Sequence, residues 1–218
     1  MSEMKNQQKE IVENILLIYK PTGVSSFGFI NRFAKDNNIK KIGHAGTLDP
    51  FAEGLMIVGI NEGTKKISEY VGLDKEYEVE MLIGKSTTTE DPEGDIVEEK
   101  KVLLDTKLEE NIRKVFDSLE GTHILSVPQF SAKKIKGKPM YWYARKGEKL
   151  PEVKREMNIL KSDLLEINQE DRLVRIKYKV KVSSGTYVRS ITIFVGENLG
   201  FPAHTDKLIR TKIGEYFL

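Results

Sequence analysis

The stretch Gly43-His44-Ala45-Gly46-Thr47-Leu48-Asp49-Pro50-Phe51-Ala52-Glu53-Gly54-Leu55 is the most informative part of this 218-residue chain. It sets one carboxylate, Asp49, inside a turn that is built from glycines and a proline. Glycine adopts backbone angles that other residues resist, and Pro50 fixes the backbone directly after the acid. The pattern predicts that Asp49 is held in place and displayed as a nucleophile. For an isolated motif, a turn whose aspartate only caps the backbone would be the better interpretation.

Composition limits the classes of protein to which the chain can belong. A hydrophobic content of 39% is enough for the core of one domain, or of a domain with a small subdomain. The net charge of +2 gives only a weak indication of a polyanionic partner. The lack of cysteine excludes disulfides and thiol chemistry, and three separated histidines argue against a zinc site. Since no segment resembles a secretory signal or a membrane span, we expect a soluble cytoplasmic protein.

Hydrophobic periodicity predicts helices and strands interspersed along the chain. Residues 172–183 alternate with a period of two, which is typical of a half-buried antiparallel strand, whereas 107–119 carry their apolar residues on one helical face. The other predicted strands are 15–19, 55–60, 75–83 and 208–213. The other predicted helices are 25–37, with Ser25 as its expected cap, 62–71 and 186–198. These elements favour an α+β domain over residues 14–218 with a mixed or mainly antiparallel sheet, after a polar N-terminal tail of residues 1–13.

Further motifs stand on both sides of the central loop. They are Lys20-Pro21-Thr22-Gly23-Val24-Ser25-Ser26, Lys75-Glu76-Tyr77, Gly84 with Thr87, Thr89, Asp91 and Gly94, Phe130-Ser131-Ala132, Ser183 to Ser190, and Ala203 to Gly214. In this order they resemble the motifs of TruB-type pseudouridine synthases, which isomerise one uridine, position 55, in the T loop of tRNA. The resemblance implies the pseudouridine synthase fold, a curved central sheet flanked by helices, with the active site in a cleft. It also implies that the C-terminal PUA domain common in the family is absent here.

The resemblance assigns catalytic roles to Asp49, Tyr77 and Arg189. Asp49 matches the nucleophile, and Tyr77 matches the tyrosine that stacks on the extracted uracil. The reaction conserves every atom except one exchanged proton, so no cofactor is required. Burial alone would raise the pKa of a carboxyl group, and an arginine can keep it ionised because the guanidinium stays charged and binds a carboxylate at two points. Without the motifs, Arg189 would be interpreted as a surface arginine and Tyr77 as a core aromatic.

Other motif residues are expected to bind or position the substrate. A uridine folded into the T loop has to be flipped out, and His44 resembles the residue that fills the vacated space. A turn histidine bonded to the backbone fits the local pattern of His44 nearly as well. Lys20 and Tyr187 also belong to matched motifs, and for Lys20 a structural role in support of the active-site loop is favoured.

The segment 128–150 is expected to be a thumb insertion that grips the RNA. Its basic residues are Lys133, Lys134, Lys136, Lys138, Arg145, Lys146 and Lys149, interleaved with Tyr141, Trp142 and Tyr143. A run of cations is usually only a solvated face, but the cationic excess and the aromatic residues favour contact with nucleic acid.

Several functions remain open at this point. The leading hypothesis is a stand-alone tRNA pseudouridine synthase, a monomer that needs no protein partner. The alternatives are an RNA-guided pseudouridine synthase in a ribonucleoprotein, and a tRNA-binding or tRNA-folding module with vestigial catalysis. A carboxylate-dependent hydrolase is disfavoured because no second acid stands in a suitable motif. The acidic residues from Asp91 to Asp95 loosely resemble a calcium loop, but Pro92 interrupts it, and a polar turn or hairpin is expected.

Overall fold

A computed structural model describes residues 8–148 and 150–218 of the protein. Among these residues the elements are, in chain order, β1 (Gln8–Val12), β2 (Ile15–Lys20), α1 (Ser26–Asp36), β3 (Ile42–His44), β4 (Glu53–Ile60), a 3-10 helix (Asn61–Lys65), α2 (Ser68–Val71), β5 (Lys75–Ile83), β6 (Lys85–Thr87), β7 (Ile96–Glu99), α3 (Thr106–Asp117), β8 (Gly121–Ser126), β9 (Lys134–Ile135), β10 (Lys138–Pro139), α4 (Met140–Ala144), β11 (Lys154–Glu170), β12 (Leu173–Val182), α5 (Val188–Leu199) and β13 (Ala203–Ile213). Within the described ranges, no helix combines the length and the apolar character that crossing a membrane requires.

The chain divides into two compact units. The first contains the residues up to Glu78 with Lys181–Ser184 and Lys207–Leu218, and the second contains Val79–Val180 with Gly185–Asp206. Strands β5, β12 and β13 have residues in both units.

In the first unit the sheet runs in the order β1-β2-β4-β13-β5, with β3 also paired to β4. β4 lies antiparallel to β2 and β3 and parallel to β13, so the sheet is mixed as predicted. Apolar side chains on these strands form a core together with Tyr70 of α2. The members of this core are Ile15, Leu17, Ala45, Leu55, Ile57, Tyr70 and Ile213.

In the second unit the order is β13-β5-β12-β11-β8, and β8 and β11 are antiparallel. α3 packs against α5 and β11, and its Phe116 meets the ring of Tyr178 edge-on, with the centroids 5.1 Å apart. The alternation predicted for β12 is present, because Val174, Ile176 and Val180 are buried. The α+β fold class and the mixed sheet are therefore confirmed.

The sequence-based elements differ from the structure in several places. The helix predicted over 62–71 is wrong, since the segment forms a 3-10 helix and the single turn of α2. Gly63 lies within the 3-10 helix, where a Cβ would be 2.1 Å from the carbonyl oxygen of Asn14, so this position requires a glycine. Part of the predicted polar tail, Gln8–Val12, pairs with β2 as an antiparallel strand, while residues 1–7 lie outside the described residues. The strands β3, β8 and β11 were not predicted.

Candidate active site

The loop between β3 and β4 carries Asp49, whose side chain is half-buried. The neighbouring side chains of Leu48 and Phe51 are buried and anchor the loop in the core. The Gly23 N–H donates to the Pro50 carbonyl at 2.9 Å, and the Ala52 N–H donates to the carbonyl of Asp49 at 3.1 Å. These contacts hold the backbone on either side of the carboxylate, in agreement with the prediction that Asp49 is fixed.

Ser26 joins α1 to this loop. Its buried hydroxyl donates to the carbonyl of Leu48 and accepts from the N–H of the same residue, both at 2.8 Å. The preceding Ser25 has a different task, because its hydroxyl accepts from the Gly28 N–H and caps α1 as predicted. One hydroxyl therefore satisfies both backbone groups of the residue before Asp49.

Lys20 holds the loop from the end of β2. The side chain has no exposed surface, and its ammonium donates to the carbonyls of Pro21 and Val24 at 2.8 Å and of Pro50 at 3.3 Å. A buried ammonium with three carbonyl acceptors is a structural support, so the geometry favours that role over the substrate contact also considered for Lys20.

Arg210 on β13 is a second buried cation at the loop, with 2% of its surface exposed. Its guanidinium donates to the carbonyls of Leu55 at 2.7 Å, Gly46 at 3.1 Å and Thr47 at 3.3 Å. Gly54, at φ +116°, fits against the Arg210 backbone, where a Cβ would come within 2.3 Å of the carbonyl oxygen. The sequence assigned no role to Arg210, although it stands in a matched motif.

Lys75, at the start of β5, is a third buried cation beside the same loop. A Cβ built on Gly46 would lie 3.9 Å from its Cε and 3.6 Å from an Arg210 nitrogen. Its ammonium donates to the carbonyls of Val71 at 2.7 Å and Leu73 at 2.6 Å. Burial, and then the charge of Arg210, lowers the pKa of Lys75 to about 8. Three buried cations, Lys20, Arg210 and Lys75, therefore border the loop that carries Asp49.

His44 and Tyr77 lie in the same unit. The half-buried His44 ring ends β3, and its Nδ1 accepts from the Gly46 N–H at 3.3 Å. Burial, and then the charge of Arg210, lowers the pKa of His44, so the ring is neutral at pH 7. Tyr77 is buried on β5, two residues after Lys75. The first unit therefore contains Asp49, Lys20, His44 and Tyr77.

Arg189 belongs to the second unit, where α5 buries it to 2% exposure. Its guanidinium donates to the carbonyls of Thr89 at 2.7 Å and Phe130 at 2.8 Å, and it lies 3.7 Å from an oxygen of Asp91. It is not the surface arginine that a helix position alone would indicate.

The polar turn or hairpin expected for residues 91–95 is present, because these residues connect the paired strands β6 and β7, and Asp91 makes further contacts there. The carboxylate is buried, accepts from the hydroxyl of Thr89 and the N–H of Glu93, and contacts Arg189. Asp91 stands in one of the matched motifs, so the sequence singled it out. Its partner Arg189 is 98 positions away, and sequence spacing could not predict that contact.

The segment 128–150 forms a hairpin of β9 and β10 followed by α4. Lysine ammonium groups lie over the Trp142 ring, that of Lys138 at 3.7 Å and that of Lys146 at 4.0 Å from its centroid. The predicted contacts Lys133, Lys134, Lys136 and Arg145 are all exposed, and Lys149 lies outside the described residues. Tyr187 is half-buried just before α5, and its N–H donates to the sulfur of Met157 at 3.5 Å.

Comparison with known proteins places this geometry in a family. The model of the TruB family pseudouridylate synthase N-terminal domain matches residues 34–188. These residues include the Asp49 loop and run to the first residue of α5. The chain belongs to the TruB family. The family predicted from the sequence is confirmed, and it is a family of isomerases.

Curated relatives extend the similarity of this TruB-family chain beyond the matched model. The tRNA pseudouridine synthase B of Bacillus licheniformis is 38% identical over 205 residues, which are 94% of this chain and 66% of the relative. That of Bacillus subtilis is 37% identical over 209 residues, 95% of this chain and 67% of the relative. The chain thus spans about two thirds of the length of these relatives.

Solved structures show the same fold. The chain resembles one in an H/ACA RNP bound to a substrate RNA containing 2'-deoxyuridine, with a TM-score of 0.66 and 24% identity. It also resembles one in a Cbf5-Nop10-Gar1 complex, with a TM-score of 0.65 and 25% identity. Each match covers 93% of this chain, and the TruB-family chain spans about half of each solved chain.

Proposed function

We propose that this chain isomerises the T-loop uridine of tRNA, position 55, to pseudouridine. The observation that carries the proposal is the Asp49 loop, whose carbonyls are held by the buried cations Lys20 and Arg210. Such support keeps a reactive carboxylate in one geometry, which is the main requirement for attack on a bound nucleotide. Family membership and 37–38% identity to tRNA pseudouridine synthases B support the choice of reaction and substrate.

In the proposed reaction, Asp49 either attacks the nucleotide covalently or assists departure of the base. The C1′–N1 bond breaks, the uracil rotates, and a C1′–C5 bond forms. The C5 proton leaves and N1 gains a proton, so the balance needs no oxidant, reductant or energy source. We assign to Arg189 the task of compensating the charge of Asp49, and to Tyr77 the task of stacking on the extracted uracil.

Access to the uridine requires base flipping, for which we propose His44 as the residue that fills the vacated space. A neutral imidazole suits this position, since it stacks between bases without the cost of burying a charge. The exposed cations of the thumb, residues 128–150, would contact phosphates of the RNA, and shape would supply much of the specificity.

Release of tritium from C5-labelled uridine in an unmodified tRNA transcript tests the proposal. We expect release from one T-loop position, and Asp49→Asn should abolish it while leaving urea unfolding within about 1 kcal/mol of wild type. Release by the Asp49→Asn variant, or release from other positions, contradicts the assignment. Tight tRNA binding by the wild type without release favours a binding or folding module with vestigial catalysis.

An RNA-guided reaction is the second candidate, and the structural likeness to chains solved in H/ACA and Cbf5 complexes favours it. The same assay separates the two. A stand-alone enzyme releases tritium from tRNA with no other protein or RNA added, whereas an RNA-guided enzyme is inactive until a guide ribonucleoprotein is assembled.

A further inference from the structure

An open groove of about 610 Å³ lies in the first unit, beside the C-terminal half of α1. Ala34, Ile39 and Ile42 contribute apolar surface to it. Its charged side chains are Lys35, Lys40 and Lys41, and no acidic residue lines it. We refer to these three lysines with their surroundings as the basic groove.

The lysines of the basic groove are not neutralised by ion pairs. Within residues 8–148 and 150–218, no carboxylate lies within salt-bridge distance of any of the three. Two acids of the same unit pair with other cations, Asp36 with Arg32 at 3.9 Å and Glu62 with Lys65 at 2.6 Å. Lys41 adds only a smaller contribution, after Lys65, to the lowered pKa of Glu62. The groove therefore presents net positive charge to a ligand.

Two elements connect the basic groove to the Asp49 loop. At its N-terminal end, α1 is bonded to that loop through Ser26 and Leu48. On the other side, Lys41 directly precedes β3, which leads to His44 three residues later. The carbonyl of Lys41 accepts from the Asn61 N–H at 2.9 Å, which holds the backbone just before β3.

The separation between groove and loop suits a nucleic acid strand. A strand rises about 3.3 Å per residue, so the backbone of Lys41 lies about 10 Å from that of His44. Stacked nucleotides advance about 3.4 Å each along one strand, so this separation corresponds to about three nucleotides. A single small anion would leave most of the 610 Å³ groove empty, whereas a polyanionic strand can contact more than one of its lysines.

We propose that the basic groove binds the phosphate backbone of the RNA substrate, within a few nucleotides of the uridine presented to Asp49. This inference rests on the proposed function, and it adds a phosphate-binding surface in the first unit to the cations of the thumb. Lysine suits this task because each ammonium acts as a point charge that releases a counterion when it meets a phosphate.

The test is the salt dependence of binding to a fluorescently labelled, unmodified tRNA transcript. Each lost phosphate contact lowers the slope of log affinity against log salt concentration by about 0.7 to 0.9. The variant K35Q/K40Q/K41Q should therefore lose about 2 to 3 units of slope. The increase in Kd between 50 and 200 mM salt should become about 20- to 40-fold smaller than for wild type.

Two matched variants control for charge. K101Q/K107Q/K114Q removes three exposed lysines that do not line the groove and should keep the wild-type slope. K35R/K40R/K41R keeps the cations in place and should also retain it. Equal slopes for wild type and K35Q/K40Q/K41Q would overturn the proposal, as would an equal loss in both glutamine variants.

Tritium release by the wild type keeps this test separate from the proposed function. Release with an unchanged slope in K35Q/K40Q/K41Q rejects the groove and leaves the proposed function standing. A reduced slope without release supports the groove and rejects the enzymatic reaction. Failure of the wild type to bind tRNA rejects both.

Discussion

Adjacent serines allow a sharp test of how the Asp49 loop is held. Ser26→Ala removes the hydroxyl that serves both backbone groups of Leu48, and Ser25→Ala removes the hydroxyl that caps α1. The two variants lose the same atom from neighbouring positions. They differ only in what that atom contacts.

The structure gives different magnitudes for the two changes. In Ser26→Ala, a buried N–H and a buried carbonyl both lose a partner at 2.8 Å. Each unsatisfied group costs about 1 to 3 kcal/mol, so we expect the free energy of unfolding to fall by about 2 to 6 kcal/mol. In Ser25→Ala, only the solvent-exposed cap to Gly28 at 3.1 Å is lost, which costs about 1 kcal/mol.

Catalysis should separate the variants further. Leu48 directly precedes Asp49, and a displacement of about 1 Å at a reacting group can cost a factor of about 100. We expect kcat for tritium release to fall by about tenfold or more in Ser26→Ala, and to stay within about twofold of wild type in Ser25→Ala. Urea unfolding and single-turnover tritium release on the same preparations provide the two measurements.

Free energies of unfolding that differ by less than about 0.5 kcal/mol between the two variants would refute this expectation, since the buried bonds would then contribute no more than an exposed cap. A Ser26→Ala variant that is destabilised but fully active would agree with the expected loss of stability. It would show that the Leu48 contact does not position Asp49.

Three further changes address other parts of the molecule. Gly54→Ala should lower the free energy of unfolding in urea by more than about 3 kcal/mol, because Gly54 has φ +116° and its new Cβ would meet the Arg210 carbonyl oxygen. Gly72 faces open space, so Gly72→Ala should change that free energy by less than about 1 kcal/mol, and equal effects of the two substitutions would contradict this. The pKa of Lys75 is about 8 in the folded chain and 10.5 in the reference state. The unfolded chain therefore binds more protons between these pH values, and the free energy of unfolding should rise with pH by up to about 1.4 kcal/mol per unit. Lys75→Met should abolish that rise between pH 8 and 9.5, and an unchanged pH profile would refute the assignment. Trp142→Ala removes the ring beneath two ammonium groups and should raise KM for tRNA about three- to tenfold, more than it lowers kcat, in steady-state tritium release.

The Asp49 loop is held by buried charged groups, although burying a charge is costly. Lys20 and Arg210 each donate to three carbonyls. Charge-assisted hydrogen bonds are stronger than neutral ones, and three acceptors offset much of the cost of burying one cation. A glycine-rich loop has few side chains of its own to pack, so it is held through its backbone.

Local chemistry was sufficient to predict much of this protein. The Ser25 cap, the helix of α1 and the alternation of β12 depend on residues within a few positions of one another, and each is present in the structure. The Asp49 loop could also be recognised, because its glycines allow a tight turn and Pro50 fixes the backbone wherever the segment lies. The family followed from the order of such local motifs along the chain.

Tertiary structure alone decided which polar side chains support the site. The guanidinium of Arg210 bonds to the carbonyl of Leu55 across 155 positions, and that of Arg189 to the carbonyl of Thr89 across 100. Sequence periodicity does not predict such pairings. Burial makes these hydrogen bonds strong, and the side chains become buried only after distant strands have paired. By itself the sequence determined the short-range conformations and singled out the Asp49 carboxylate as a candidate. The partners of each buried charge depended on the fold, because a hydrogen bond requires proximity in space and not in sequence.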